Sequence, residues 1–247
     1  MAAPPAVVPL VMTRQSIAAV VPAKGSSVRV SGKNRQLMLG VPLFLWAANN
    51  LRRVLPADCI YIDSDCEQTR ALAEAAGFRS ITRPAHLATN ATCGNGLMRF
   101  AASQLEADIL VQHMPPMPFL REETLRQIID AVAEGGESSF GALVEPLYLW
   151  NESGPTYNRA HIPNSVDLTP TIVEGMGIYA AQRSRVLETG LRLPGTPILI
   201  ELDRFESVDI DTAHDLEFAR SLARGCDPGS PYVRGMSELA LSLAQAA

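Results

Sequence analysis

Short apolar runs alternate with longer amphipathic segments along most of this 247-residue chain, and this alternation constrains its fold more than any other feature. The first run, residues 17–21, contains no polar residue, which is typical of a strand at the centre of a parallel sheet. Further strands are predicted at residues 59–63, 80–82, 109–112, 140–144 and 172–180, and near Ile198 and Val208. Helices are predicted at residues 42–54, 67–76, 93–105, 122–133 and 212–223, with a short one after residue 180. Strands alternating with helices of this length predict βαβ units and an α/β fold with a mostly parallel mixed sheet.

The domain organisation follows from where this rhythm holds and where it stops. Residues 1–16 are rich in Ala, Pro and Val without a basic segment ahead of an apolar one, so we expect a flexible arm rather than a signal peptide. Residues 17–225 are expected to form one domain, and residues 226–247 a tail or helix. Within the domain, residues 145–171 are rich in Pro, Asn and Ser and lack a clear period, which indicates an insertion.

Composition and charge exclude several classes of function. The formal net charge is -5, from 21 basic and 26 acidic side chains without a basic stripe, so a nucleic-acid partner is not expected. No apolar run approaches the ~20 residues that span a bilayer, so a membrane partner is not expected either. The four cysteines lack the spacing of a zinc site, and we expect reduced thiols and a cytoplasmic location.

The loop after the first predicted strand, residues 22–34, carries the strongest chemical signal. Its small residues allow a backbone to approach a phosphate and to direct amide groups at it, and three cations add positive charge. The candidate phosphate-binding residues are Ala23, Lys24, Gly25, Ser26, Ser27, Arg29 and Lys33. The glycine spacing of a P-loop or of a dinucleotide-binding turn is absent. A solvated basic loop is the alternative.

Two carboxylates near the C-terminus, Asp209 and Asp211, form a candidate metal site. If residues 208–210 end a strand, both side chains project from one face, because side chains alternate along a strand. Mg²⁺ prefers a few carboxylates together with water and phosphate oxygens. The alternative is that Asp211 only helps to cap the following helix, while Asp209 is solvated.

Several segments in register resemble the CMP-sialic acid synthetases, also called acylneuraminate cytidylyltransferases. The resemblance covers about residues 17–222 and is carried by residues 21–46, 62–65, 83–89, 111–112, 177–179 and 208–212. It implies a Rossmann-like three-layer nucleotidyltransferase fold, a homodimer whose insertion at residues 145–171 contributes to dimerisation or to the acceptor site, and CTP bound over the first loop with Mg²⁺. The implied reaction is CMP transfer from CTP to a small anionic acceptor, a sialic-acid-like 2-keto sugar acid, with release of pyrophosphate.

The resemblance also implies roles for single residues. Lys24, Lys33 and Asp211 are expected to be catalytic, and Asp209 and Asp211 to hold the metal. Lys24 stands where the family usually has arginine, so the bidentate fork is lost there. The remaining matches are contacts to the nucleoside, to the base or to the acceptor: Asn34, Arg83, Thr89, Asn90 and Gln112.

Departures from the family pattern cluster in the acceptor half. Met114, Val166 and Met176 occupy places where the family more often has polar groups, so we expect a more apolar or more closed pocket and an acid other than N-acetylneuraminate. The alternative acceptors are a phosphonate or a shorter keto-sugar acid in natural-product or envelope assembly. His113, which follows a predicted strand, is a candidate general base or a structural histidine. A rival of another class is a CTP-binding protein without catalysis.

Overall fold

The computed structural model describes residues 15–27 and 30–246, so the arm predicted for residues 1–16 lies almost wholly outside the described residues. Its strands are β1 (Ile17–Pro22), β2 (Leu37–Met38), β3 (Val41–Pro42), β4 (Ile60–Ser64), β5 (Arg79–Thr82), β6 (Ile109–His113), β7 (Ser138–Glu145), β8 (Trp150–Asn151), β9 (Gly154–Pro155), β10 (Thr171–Gln182) and β11 (Ile198–Leu202). Its helices are α1 (Leu43–Arg52), α2 (Glu67–Ala75), α3 (Gly94–Gln104), α4 (Glu122–Ala133), α5 (Arg183–Thr189), α6 (Ala213–Gly225) and α7 (Met236–Ala246).

Seven strands form one mixed sheet in the order β11-β7-β10-β6-β1-β4-β5. β1 pairs in parallel with β4 and β6, β4 with β5, and β7 with β11, whereas β10 runs antiparallel to β6 and β7. The central strand β1 is buried along nearly its whole length, as its uninterrupted apolar sequence predicts. The predicted α/β fold with a mostly parallel mixed sheet is confirmed.

The helices cover both faces of the sheet and complete three layers. The larger apolar cluster lies under α1, α2, α4, α6 and α7, and the smaller one lies under α3 and α5 on the opposite face. Side chains on alternate positions of β1 divide between the two clusters, with Ala19 and Val21 in the larger and Ala18 and Val20 in the smaller. The centre of the sheet is therefore buried on both faces.

One predicted strand is wrong. Residues 208–211 form no strand, because the preceding segment turns sharply after β11. Asp203 accepts hydrogen bonds from the amides of Phe205 and Glu206 at 2.8 and 2.9 Å, and this turn directs the chain away from the sheet. The amide of Ile210 instead donates to the carbonyl of Pro116 at 3.0 Å.

The segment between β7 and β10 overlaps residues 145–171, where an insertion was predicted, and it lies outside the seven-stranded sheet. It contains the short hairpin β8–β9, and its aromatic side chains pack on one another: the Tyr148 and Tyr157 rings lie 5.3 Å apart. The C-terminal residues, left open as tail or helix, include α7. No helix in the described ranges is both long and apolar enough to cross a bilayer.

Candidate active site

A cavity of about 600 Å³ lies at the edge of the sheet where the parallel strands β1, β4 and β6 end. In α/β sheets this edge is where ligands bind, because the loops after the strands converge there. Ten of the residues singled out from the sequence line this cavity: Lys24, Ser26, Ser27, Lys33, Asn34, Arg83, Thr89, Asn90, Asp209 and Asp211. The fold therefore gathers most of the candidate site from segments that are far apart in sequence.

Two loop residues do not line the cavity as predicted. Ala23 is fully buried, and its amide and carbonyl bond to the Asp63 carbonyl and the Ser64 hydroxyl at 2.8 and 2.6 Å. The amide of Gly25 donates to the Asp65 carboxylate at 2.8 Å, so it does not point at the cavity. A Cβ at position 25 would lie 2.6 Å from the Cβ of Cys66, so glycine is needed there for close packing. The third, Arg29, lies outside the described residues.

Lys24 is held at the cavity wall by two asparagines. Its ammonium donates to Asn90 Oδ1 at 2.6 Å, and its carbonyl accepts from Asn34 Nδ2 at 2.8 Å. Both asparagines, for which the resemblance implies contacts to the nucleoside or base, also line the cavity. Lys24 is thereby fixed in place, which lowers the entropy lost when it meets an anion.

Lys33 links the first loop to the acidic segment. Its side chain is 11% exposed, and Nζ lies 2.7 Å from the Ile210 carbonyl and 3.3 Å from Asp211 Oδ1. Ile210 is fully buried, so Asp209 and Asp211 on either side of it both face the cavity. Both carboxylates thus line one cavity, although the segment is not a strand.

The alternative role of Asp211 as the cap of α6 is wrong. Thr212 is the N-cap: its hydroxyl accepts from the Asp215 amide at 3.2 Å, and its own amide donates back to the Asp215 carboxylate at 2.7 Å. This capping box satisfies the Thr212 and Asp215 amides at the start of the helix. The Asp211 carboxylate is instead paired with Lys33 at the cavity.

The cavity wall on the β5 side is formed by Arg83, whose guanidinium is paired with Asp63 in the interior. Their side chains are 3% and 1% exposed, and Arg83 Nε and Nη2 donate to the Asp63 carboxylate at 2.7–3.1 Å. Burial raises the pKa of Asp63, while the hydrogen bonds from Arg83 oppose that rise. Asp63 thus positions Arg83. No role was predicted for Asp63 from the sequence, although a carboxylate at the end of the buried strand β4 indicates a residue with a specific partner.

Gln112 and His113 lie at the end of β6 and do not line the cavity. Gln112 is fully buried, and neither of its amide atoms has a hydrogen-bond partner within the described ranges. His113 projects to the opposite face, where Nε2 lies 3.4 Å from Asn50 Nδ2, and burial lowers its pKa to about 3. A neutral histidine enclosed in the core cannot exchange protons with a substrate, so the general-base interpretation of His113 is wrong.

Of the three residues predicted to make the acceptor region apolar, two line the cavity. Met114 and Met176 form one end of it together with Leu97. Val166 does not line it and is 86% exposed on the insertion. The cavity lining thus combines charged residues with the apolar side chains of Leu97, Met114 and Met176, whose part of the cavity is called the acceptor end below.

The donor set suits a magnesium ion that also binds phosphate. Within the described residues, no group of three or more His, Cys, Asp or Glu side chains could enclose a metal. The Asp209 and Asp211 pair supplies two hard oxygen donors on one wall. Mg²⁺ is commonly held in this way, by one or two carboxylates, with water and substrate phosphates completing the shell.

The chain is similar in sequence or in fold to several known proteins. N-acylneuraminate cytidylyltransferase A of Danio rerio is 23% identical over 210 residues, covering 81% of this chain, which spans about half (49%) of that relative. CMP-N,N'-diacetyllegionaminic acid synthase of Legionella pneumophila is 28% identical over 227 residues, covering 83% of this chain and 95% of the relative. A solved CMP:2-keto-3-deoxy-manno-octonic acid synthetase in complex with CTP has the same fold, with a TM-score of 0.63 at 17% identity, covering 84% of this chain and 98% of that one.

A family profile decides the classification, because it matches more than half of the chain. The cytidylyltransferase profile matches residues 18–158, more than half of the 247 residues, from β1 through the first hairpin of the insertion. The chain belongs to the cytidylyltransferase family.

Proposed function

We propose that this protein transfers CMP from CTP to a small anionic acceptor and releases pyrophosphate. An acceptor oxygen attacks the α-phosphorus of CTP, the bond from that phosphorus to the β-phosphate oxygen breaks, and the acceptor's proton is lost to solvent. The observation that carries the proposal is the placement of Lys24, Lys33, Asp209 and Asp211 around one cavity of a cytidylyltransferase fold. Such reactions depend mainly on positioning and charge stabilisation, which this arrangement supplies.

Each charged group has a distinct task in this proposal. Lys24, fixed by Asn90, offsets charge on the triphosphate and on the departing pyrophosphate. Lys33 is mostly buried and tied to Ile210 and Asp211, so it joins the phosphate loop to the acidic wall. Ser26 and Ser27 line the same region and offer hydroxyl and amide donors. Together they hold the α-phosphorus at a fixed distance from the acceptor end.

Asp209 and Asp211 would hold Mg²⁺, and the pair fits that role by its chemistry and its position. When bound there, the ion would offset charge on the triphosphate and lower the pKa of the attacking group. The protein's own contribution is to present two carboxylates at the cavity, with Asp211 held by Lys33. A protein that only bound CTP would not require this metal pair, which favours an enzyme over a CTP-binding protein without catalysis.

The acceptor is proposed to be a sialic-acid-like 2-keto sugar acid, and the alternative is a phosphonate or a shorter keto-sugar acid. The names of the relatives support a sugar acid, since they include N-acylneuraminate and N,N'-diacetyllegionaminic acid enzymes. Met114, Met176 and Leu97 reduce the area of polar surface that an acceptor can contact at the acceptor end of the cavity. A buried polar group without a partner costs ~1–3 kcal/mol, so an acid with fewer polar substituents than N-acetylneuraminate should fit better.

CTP should stabilise the protein more than any other nucleoside triphosphate. A ligand at about 100 times its dissociation constant adds roughly 2.7 kcal/mol to the free energy of unfolding. Thermal unfolding is measured with CTP, UTP, ATP and GTP at equal concentration in the presence of Mg²⁺. A larger rise in Tm with ATP or GTP than with CTP would contradict the assignment.

We also propose a homodimer formed through the insertion. Large apolar side chains are exposed there and on the adjoining part of β10: Tyr148, Leu149, Trp150, Ile162, Val166, Ile172 and Val173. Large apolar side chains exposed in this number commonly mark a protein–protein interface. Sedimentation equilibrium should therefore give twice the 26.6 kDa of one chain, and the double substitution Trp150→Ser, Ile172→Ser should reduce it to one. A monomeric mass for the unaltered protein would refute the dimer.

A cytoplasmic location is part of the proposal. All four cysteines are free thiols, which is usual where glutathione keeps thiols reduced. Cell fractionation with a tagged full-length chain measures the location directly, and recovery from an extracytoplasmic fraction would contradict it.

A further inference from the structure

A second cluster of charged and polar groups lies behind Met176, at the acceptor end of the cavity. Its centre is Arg192, whose side chain is only 12% exposed. The guanidinium lies flat on the ring of Tyr179, with Cζ 3.6 Å from the ring centroid. Stacking of this kind fixes the plane of the guanidinium and leaves its edge free to bind an oxyanion.

Glu174 supplies the counter-charge to Arg192 in this structure. Its Oε1 lies 3.2 Å from Arg192 Nη2 and accepts a hydrogen bond from the Tyr179 hydroxyl at 2.6 Å. One carboxylate oxygen is thus held by an arginine and a phenol, the kind of donors that bind a substrate carboxylate or phosphonate. Because the Glu174 side chain is 40% exposed, it can leave this place without breaking the core.

The start of α3 makes room for the guanidinium and adds positive potential. A Cβ at Gly94 would lie 2.3 Å from Arg192 Nη1, so a larger residue there would displace the arginine. The Arg192 amide donates to Asn95 Oδ1 at 3.0 Å, which ties the arginine's backbone to the same helix turn. A cation beside the positive end of a helix is unfavourable unless an anion lies with them.

An irregularity in β10 connects this cluster to the cavity. The pairing of β10 with β7 shifts register between Glu174 and Tyr179, and Met176 within that stretch has a left-handed φ of 52°. A non-glycine residue in this conformation is strained, and bulges redirect side chains beside binding sites. Met176 lines the cavity, and its sulfur lies 3.6 Å from Arg192 Nη2, so this side chain connects the guanidinium to the cavity wall.

A buried amide without partners lies next to the same cluster. Gln112 is opposite Tyr179 in the β6–β10 register, so their side chains share one face. Neither amide atom of Gln112 has a hydrogen-bond partner within the described ranges, and a buried unsatisfied amide is costly. A polar ligand that reached this face would satisfy it.

We propose that Arg192 and Tyr179, with Gln112 beside them, form a subsite for the acceptor's oxyanion, which takes the place of the Glu174 carboxylate. The inference rests on the proposed function and extends it: Arg192 selects acids over neutral analogues. A carboxylate and a phosphonate share the chemistry that the guanidinium recognises. Met176 moves aside as the acceptor enters, and Glu174 turns to solvent.

The test pairs a change in the protein with a change in the ligand. N-acetylneuraminate and 3-deoxy-manno-octulosonate are compared with their methyl esters as acceptors for pyrophosphate release, and 2-aminoethylphosphonate is tested as the acid alone because its phosphonate oxygen is also the attacking atom. Arg192→Gln should reduce the preference for the acid over its ester by about 10- to 100-fold, while KM for CTP stays within about threefold. Arg192→Lys keeps the charge but loses the bidentate guanidinium, so its preference for the acid should lie between those of the unaltered protein and Arg192→Gln.

Two further variants complete the design. Glu174→Gln removes the competing carboxylate and should raise kcat/KM for the acid several-fold. Arg185→Gln is the matched control, because Arg185 pairs with Glu137 and Glu188 outside the cavity and its loss should change neither ligand's kinetics. If Arg192→Gln behaves like Arg185→Gln towards both acid and ester, the subsite is refuted.

Binding is measured separately from turnover, so that the subsite and the proposed reaction can fail independently. Each acid is titrated calorimetrically into full-length protein saturated with CMP. Binding by the unaltered protein that is lost in Arg192→Gln, without pyrophosphate release from CTP, would uphold the subsite and contradict the proposed reaction. Conversely, if the unaltered protein releases pyrophosphate and a folded Arg192→Gln protein binds the acid as tightly as before, the proposed reaction is upheld and the subsite is contradicted.

Discussion

Asp211→Asn and Asp209→Asn should each lower turnover by about two decades or more at saturating CTP and Mg²⁺, while the fold stays intact. Each change replaces one of the two carboxylate ligands with a neutral amide, which is a weaker ligand for Mg²⁺ and removes one of the pair's two negative charges. The fold should tolerate the changes because Thr212 and Asp215 cap α6 without either side chain. Turnover is measured by pyrophosphate release across a Mg²⁺ titration, and the fold by circular dichroism.

Glu217→Gln is the control for these variants. It also removes one negative charge from this part of the chain, but Glu217 lies on the exposed side of α6, paired with Arg220. Turnover in this variant should match that of the unaltered protein. Near-normal turnover in both aspartate variants would mean that the acidic segment only anchors Lys33.

Asp63→Asn should destabilise the protein by about 3–5 kcal/mol, the largest stability effect that we expect from a single isosteric change. The substitution leaves the Arg83 guanidinium in the interior without its counter-charge, since these side chains are 1% and 3% exposed. Urea unfolding monitored by circular dichroism gives the free energy. CTP affinity should fall as well, because Arg83 lines the cavity.

The exposed pair between Arg183 and Glu106 provides the comparison. Its atoms lie 2.9 Å apart, yet water screens the pair, so Glu106→Gln should cost no more than ~1 kcal/mol. An Asp63→Asn protein as stable as the Glu106→Gln protein would show that another group neutralises Arg83.

The sheet was predictable from the sequence because burial on both faces demands uninterrupted apolar runs. Residues 17–21 and 109–112 were both predicted to be strands, and they form β1 and β6 in the interior of the sheet. The false strand near Val208 has the same alternation as a true one, with Ile210 buried between two carboxylates. Its sequence does not reveal that Asp203 turns the chain before it.

The charged end of the cavity was predictable for a similar reason: its residues follow strand ends, and strand ends of a parallel sheet converge. What the sequence could not show is which partner each group takes. The Gly25 amide was predicted to bind phosphate, but it donates to the Asp65 carboxylate. The cluster of Arg192, Glu174 and Tyr179 was not predicted from the sequence. That cluster depends on an irregularity in β10, which no periodic pattern encodes.

Pyrophosphate release by the unaltered protein tests the central claim most directly. CTP and Mg²⁺ are supplied with each acid in turn, and the product is identified by mass spectrometry as an ester of CMP with that acid. The account predicts release with CTP and an acid together, one pyrophosphate for each CMP ester, and a higher kcat/KM for a smaller or differently substituted acid than for N-acetylneuraminate. Saturable CTP binding without release for any sugar acid or phosphonate would contradict it and identify a CTP-binding protein without catalysis.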